Sequence, residues 1–375
     1  MSPSSSTFSS EAARYLGVAV LTAVLLVSSI AGISLIGIDR GLVTWKEARL
    51  LRYQLDKIAA ASRVDILLVG DSALGNAVDA RVWSRETGRE VLSVPLTGDY
   101  GYGGSLNMLR RVLRHHRPEL VVVFQSPEIM RRHVAYDGLM YTAETLGDIR
   151  GIPPWRLLGP LATWDIPLNM LANVFTPRGP DPDLITDDYI RQQMDAAKAR
   201  AKVVRDARFL KPAMVHPERA VFLREIGALC ARERIVCLYA HGPYVEPECS
   251  SIEPYLEKVN ALIRASGLIV VPETPVCMPL DDAGDAPDHV APALKKRYSE
   301  IYRSLIDATI NAPAVAQARD ASKPGPGARL QSPQPAGRFR RHGIDRHLRV
   351  HAGPGRGVRG DRRLLALGAP DDGPR

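Results

Sequence analysis

The sequence predicts an α/β protein built on a parallel sheet with helices on both faces, set behind one membrane-spanning helix. Two patterns carry that expectation. Short apolar runs of strand length alternate with amphipathic helical stretches between residues 63 and 312, and an uncharged run of 24 residues, Tyr15–Ile38, stands ahead of them.

Residues 1–14 read as an N-terminal tail. At about 1.5 Å per residue the run that follows reaches about 36 Å, more than the roughly 30 Å hydrocarbon core of a bilayer. Ser29-Ile30-Ala31 resembles a signal-peptidase site, but the apolar run continues past it, which favours an uncleaved anchor over residues 15–38. Arg14 precedes the run, and Arg40, Lys46, Arg49 and Arg52 follow it, so the positive-inside rule taken alone keeps the body in the cytoplasm. The cysteines point the other way. Cys230, Cys237, Cys249 and Cys277 form an even set with no Cys-x-x-Cys spacing, and Cys249 and Cys277 are placed to staple two loops, as in an exported domain. The reading favours a globular part outside the cytoplasm, joined to the anchor by a polar helical connector, residues 39–62.

The first strand, ending Leu67-Leu68-Val69-Gly70, stops abruptly at Asp71-Ser72 and hands over to a helix. A second apolar run, Val91–Leu96, leads into Thr97-Gly98-Asp99, with Gly101–Gly104 read as a flexible turn. Leu106, Leu109, Val112 and Leu113 share a helical face, Arg117-Pro118 stops that helix, and Leu120–Phe124 is a third, fully apolar strand. Residues 135–215 break the rhythm with Trp, Pro and Gly and read as an insertion or lid. The alternation resumes with a helix near Pro217–Glu233, a strand Ile235–Ala240, a helix near Ile252–Ser266, a strand Leu268–Val271 and a last helix over Ala291–Thr309.

Net charge is +8, but residues 319–375 hold 13 Lys/Arg against 5 Asp/Glu, leaving 36 of each sign in residues 1–318. The body is therefore neutral, and its charge gives no argument for nucleic-acid binding. Residues 313–375, rich in Arg, Gly, Pro and Ala, read as a disordered tail. A basic tether for nucleic acid or anionic lipid and a frameshifted end are the alternatives.

In open parallel sheets, functional groups gather at the carboxyl ends of the strands. Ser72, Gly98, Ser126 and His241 follow strands, and His289 lies in the loop before the last helix, beside Asp285 and Asp288. A serine becomes a nucleophile when a base takes its proton, a carboxylate orients that base, and N–H groups receive the oxyanion. His289 is the best-placed base. His241 is a pocket-lining candidate, although a structural turn suits it as well. Arg131, Arg132 and His133 are candidates for greeting an anionic sugar, against the plainer reading of an exposed charged helix. No metal-ligand spacing and no phosphate loop is present, so no metal or other cofactor is expected.

At these residues the chain resembles the SGNH (GDSL-like) hydrolase superfamily. Gly70-Asp71-Ser72 matches the first block, Gly98 the second, and an Asp/His pair before the final helix the last. The resemblance implies a flavodoxin-like three-layer fold over residues 63–312, with Ser72 as nucleophile, His289 as base, and the amides of Ser72 and Gly98 as oxyanion donors. Two features depart from the pattern. The family places Asp three residues before His, where this chain has Ala286, so Asp285 or Asp288 must orient His289. The family's third block, Gly-x-Asn-Asp, is replaced by Phe124-Gln125-Ser126-Pro127-Glu128, with no Asn donor. A Ser-Pro at that place is similar to membrane-anchored proteins of teichoic acid D-alanylation, and the anchor suits those and the alginate acetylation proteins. The resemblance implies an esterase or O-acyltransferase acting on acyl groups of a cell-envelope polysaccharide, beside a membrane-bound O-acyltransferase. The other reading is a non-catalytic scaffold of the same fold that binds polymer or recruits the acyltransferase.

Overall fold

The computed structural model describes residues 8–39, 46–132, 136–149, 210–246 and 248–311, together with 167, 168, 170, 171, 185, 186, 189, 190, 203 and 204. The expected tail, residues 313–375, and most of the expected insertion lie outside the described residues, as does His133.

Helix α1, Phe8–Asp39, contains a 24-residue stretch, Glu11–Ser34, of mean hydropathy 2.4, long and apolar enough to cross a membrane. Its Leu16, Leu21 and Leu25 side chains are exposed, as a lipid-facing helix requires. Helix α2, Lys46–Ala60, follows in the stretch expected as a connector. It contributes to the body as well, because Leu51 and Ile58 enter the hydrophobic core and Lys57 donates to the Ser93 carbonyl.

The body is an α/β sandwich around five parallel strands: β1 Ile66–Gly70, β2 Val91–Pro95, β3 Leu120–Gln125, β6 Val236–His241 and β8 Ile269–Val270. They lie side by side in the order β2-β1-β3-β6-β8, a doubly wound arrangement whose switch point falls between β1 and β3. The sequence of these strands explains why both faces must be covered. β1 and β3 are buried throughout, and the period-two alternation of their apolar residues sends Leu67, Val69, Val121 and Val123 into one core and Ile66, Leu68, Val122 and Phe124 into the other.

The first core is closed by α2, α5 (Gly101–Leu113), α7 (Ala220–Glu233) and α9 (Glu253–Ala265), through residues such as Leu106, Ile226 and Val259. The second is closed by α3 (Ser72–Ala77), α4 (Ala80–Thr87) and α10 (Lys295–Ile310). There Phe124 meets Tyr302 edge-on, and the indole of Trp83 donates to the Ser299 carbonyl at 2.8 Å, which locks α4 to α10.

Part of the stretch expected as an insertion packs onto the body. Helix α6, Tyr136–Thr142, lies against α5, where the Asn107 amide donates to the Leu139 carbonyl at 2.6 Å. Just beyond it, Arg114 reaches the Asp148 carboxylate at 2.8 Å. Two strands of two residues each, β4 Ile185–Thr186 and β5 Tyr189–Ile190, pair antiparallel. A second small sheet pairs β7, Tyr244–Val245, in parallel with β9, Cys277–Met278, and the Cys249–Cys277 disulfide anchors β9 to the short helix α8, Glu248–Ser251. Cys230 and Cys237 form the other disulfide, joining the end of α7 to β6.

Candidate functional site at the carboxyl edge of the sheet

The turn after β1 is built residue by residue for tightness. Gly70 sits so close to β3 that a Cβ there would collide with the Phe124 carbonyl oxygen. Asp71 follows with its carboxylate buried and divided between two backbone donors: Oδ1 accepts from Ala73 N–H and Oδ2 from Ser126 N–H, each at 3.0 Å. One oxygen caps α3 and the other ties the turn to the end of β3. Burial pushes the Asp71 carboxyl up to about 7, the charge of Asp288 adds to that shift, and the Ser126 N–H, the Arg132 guanidinium and the Ala73 N–H oppose it. Ser72, the first residue of α3, is left partly exposed at the lip of this turn.

The base candidate comes from the far end of the chain. Ala283 and Val290 form an antiparallel bridge, Gly284 N–H donates to the His289 carbonyl at 2.7 Å, and His289 N–H donates to the Ala286 carbonyl at 3.1 Å. The loop thus folds back on itself and brings Asp285 Oδ1 to 2.7 Å from His289 Nδ1. Asp288 lies on the opposite side of the ring, 3.9 Å from Nε2. Burial acts to lower the imidazole pKa, but Asp288, the Asp285 hydrogen bond and charge, and Asp71 outweigh it, so His289 titrates above its ordinary range. The loop is fastened from outside by Val245 N–H in β7, which donates to the Pro287 carbonyl at 3.0 Å.

The remaining candidates divide. Gly98 sits in the turn between β2 and α5, beside the serine turn, because Leu96 N–H donates to the Gly70 carbonyl at 2.9 Å. Ser126 takes part through its backbone N–H, while its buried hydroxyl has no partner among the described residues. His241 is not brought to the opening. It is fully buried at the end of β6, stacked edge-on against Tyr239, with Nε2 2.7 Å from Asn260 Oδ1, and burial pushes its pKa down to about 4. The neutral ring is a structural element of the interior. Ser72 and His289 are not joined by a hydrogen bond among the described residues.

Arg132, open in the sequence between a contact for an anionic sugar and exposed charge, packs against this edge. The 3₁₀ turn Pro127–Arg131 after β3 leads to Arg132, whose Nη2 donates to Glu128 Oε1 at 2.9 Å, while Arg131 Nη2 holds Glu128 Oε2 at 2.8 Å. Burial would raise the Glu128 pKa, but the two guanidinium groups hold it below the usual carboxylate range. Arg132 Nη1 lies against Gly98, so closely that a Cβ on Gly98 would collide with it and stand 2.9 Å from Cζ. The signal in the sequence was position: a residue shortly after the third strand belongs to the same sheet edge as Ser72 and Gly98. No group of three or more His, Cys, Asp or Glu with the spacing of a metal site occurs among the described residues.

No protein-family model matches the chain, and no curated protein matches it.

Proposed function

We propose that this protein is a membrane-anchored serine esterase or O-acyltransferase of SGNH type, acting on acyl groups, acetyl above all, of a cell-envelope polysaccharide. The observation that carries the reading is the Asp285–His289 pair at 2.7 Å, held in a closed loop and electrostatically coupled to the Asp71-Ser72 turn. The doubly wound strand order and the Gly70-Asp71-Ser72 turn support the SGNH-type, flavodoxin-like assignment.

In this mechanism Ser72 Oγ attacks the ester carbonyl and its proton passes to His289 Nε2, while Asp285 accepts from Nδ1–H and fixes the tautomer. The tetrahedral intermediate collapses, the leaving alcohol takes the proton from His289, and the acyl group stays on Ser72. Water or a sugar hydroxyl, deprotonated by the same imidazole, then releases it. Transfer to sugar requires water to be kept out and an acceptor to be bound. The two disulfides support a domain facing an oxidising compartment, with α1 as a single-pass anchor. There the natural partner is a membrane-bound O-acyltransferase supplying acyl groups.

The test is turnover of 4-nitrophenyl acetate and covalent labelling by a serine-reactive fluorophosphonate, using the full-length protein in detergent. Ser72→Ala should abolish both, and unchanged turnover in that variant rejects the reading. A second reading, a non-catalytic scaffold that binds polymer or recruits the acyltransferase, is favoured by one observation: Asp288 stands 3.9 Å from Nε2 of His289, where its charge favours the imidazolium over the free base. Polymer binding retained without labelling of Ser72 would select it.

A further inference from the structure

We propose that Arg132 is the oxyanion donor of this site, a guanidinium standing where the chain lacks the expected asparagine. The inference rests on the serine chemistry proposed above and adds a residue to it.

Four observations converge. The first is position. Gly98 belongs to the turn that flanks Ser72 at the sheet edge, since Leu96 N–H donates to the Gly70 carbonyl at 2.9 Å, and Arg132 Nη1 lies directly on Gly98. The absence of a side chain at Gly98 is what leaves room for the guanidinium. The second is preorganisation. Glu128 Oε1 takes Nη2 at 2.9 Å and is itself held by Arg131, so the guanidinium is fixed before substrate arrives.

The third is unused donor capacity. Nη1 makes no hydrogen bond among the described residues, and its ion pair with the exposed Asp99 is long, at 3.9 Å. The fourth is charge. Burial alone would lower the Arg132 pKa, but Glu128, Asp71 and Asp288 together raise it, so the group remains a cation within range of the Asp71 and Asp288 charges.

During acylation the carbonyl π electrons move onto oxygen as the Ser72 Oγ–C bond forms. A charged N–H at that oxygen stabilises it more than a neutral amide does. When the intermediate collapses, the charge returns to the carbonyl and Arg132 keeps its proton throughout.

The experiment compares kcat and KM for 4-nitrophenyl acetate in the wild-type protein, Arg132→Ala, Arg132→Lys and Ser72→Ala, with thermal midpoints recorded for each. Arg132→Ala is expected to lower kcat by about 100- to 1,000-fold with KM within about threefold, the range for loss of an oxyanion donor. Added methylguanidinium should restore kcat saturably, which a merely structural role for Arg132 would not produce. A kcat within about threefold of wild type in Arg132→Ala, alongside an inactive Ser72→Ala, overturns the inference and leaves the serine reading standing. Activity in Ser72→Ala overturns both. If Arg132→Ala shows no folding transition, Arg132→Lys decides: it keeps the charge without the planar fork, and full activity in it counts against the proposal.

Discussion

Asp285 reaches His289 Nδ1 at 2.7 Å across a four-residue separation because the bridge between Ala283 and Val290 closes the loop that contains both. Asp288, next to the histidine in sequence, is on the far side of the ring. Adjacency in the chain and the hydrogen bond to the imidazole are therefore divided between two carboxylates.

Asp285→Asn should lower kcat by about 100- to 10,000-fold, because the amide can present its NH₂ to Nδ1 and stabilise the wrong tautomer. Asp288→Asn removes a charge but no hydrogen bond to the ring, and should change kcat by less than about tenfold. Steady-state kinetics on the two variants checks the assignment, and a larger loss in Asp288→Asn reverses it.

A base must be neutral to act, so activity appears as pH rises through the His289 pKa. Since that pKa lies above the usual histidine value, the acid limb of kcat/KM should fall above about 6.5. Asp288→Asn removes the largest influence holding the imidazolium and should move the limb to lower pH. The same shift has a stability consequence: the favourable contribution of charged His289 is complete below about 6.5 and is lost as pH rises through the folded-state value. A pH–rate profile and thermal midpoints across the same range measure both.

Asp71→Ala takes the acceptor from two backbone N–H groups at once. Loss of the α3 cap costs about 1 kcal/mol, and leaving the buried Ser126 N–H unsatisfied costs about 1–3 kcal/mol. The expected sum is about 2–4 kcal/mol by denaturant unfolding. Asp71→Asn should recover only part of it, because an amide offers one acceptor where two donors converge.

The Cys249–Cys277 disulfide closes a loop with a separation of 28 residues, and Cys230–Cys237 one of 7. Chain-entropy reasoning gives about 3–4 kcal/mol for the first and about 2 kcal/mol for the second. Replacing Cys249 and Cys277 by serine should therefore lower the melting temperature more than replacing Cys230 and Cys237. It should also impair turnover below the melting range, because β9 pairs with β7, and β7 fastens the His289 loop through Val245.

The sheet was legible because its strands are buried on both faces and read as continuous apolar runs; β1, β2, β3 and β6 fall within a residue or two of their expected positions. What escaped depends on contacts between distant segments. Gly101–Gly104 read as a loose turn, yet it forms the first turn of α5, where Gly103 packs on Leu139 and Gly104 on Tyr100. Helical propensity is low there, and close packing prevails over it. The short helix α4 carries only a brief pattern and is secured through Trp83 to a residue near the other end of the domain. The choice between Asp285 and Asp288 was open in the sequence, since only the loop closure distinguishes them. Arg132 was open between a ligand contact and surface charge because nothing local shows that Gly98 lies beneath it.

The order of the strands also has a meaning for biosynthesis. β1, with its serine turn, is among the first parts of the sheet to be made, whereas the histidine loop follows β8 and β9, next to α10. A chain made from its N-terminus therefore holds Ser72 well before it has His289, and any product ending before residue 289 carries the serine without the histidine. On the serine reading, reactivity at this edge is withheld until His289 has been made.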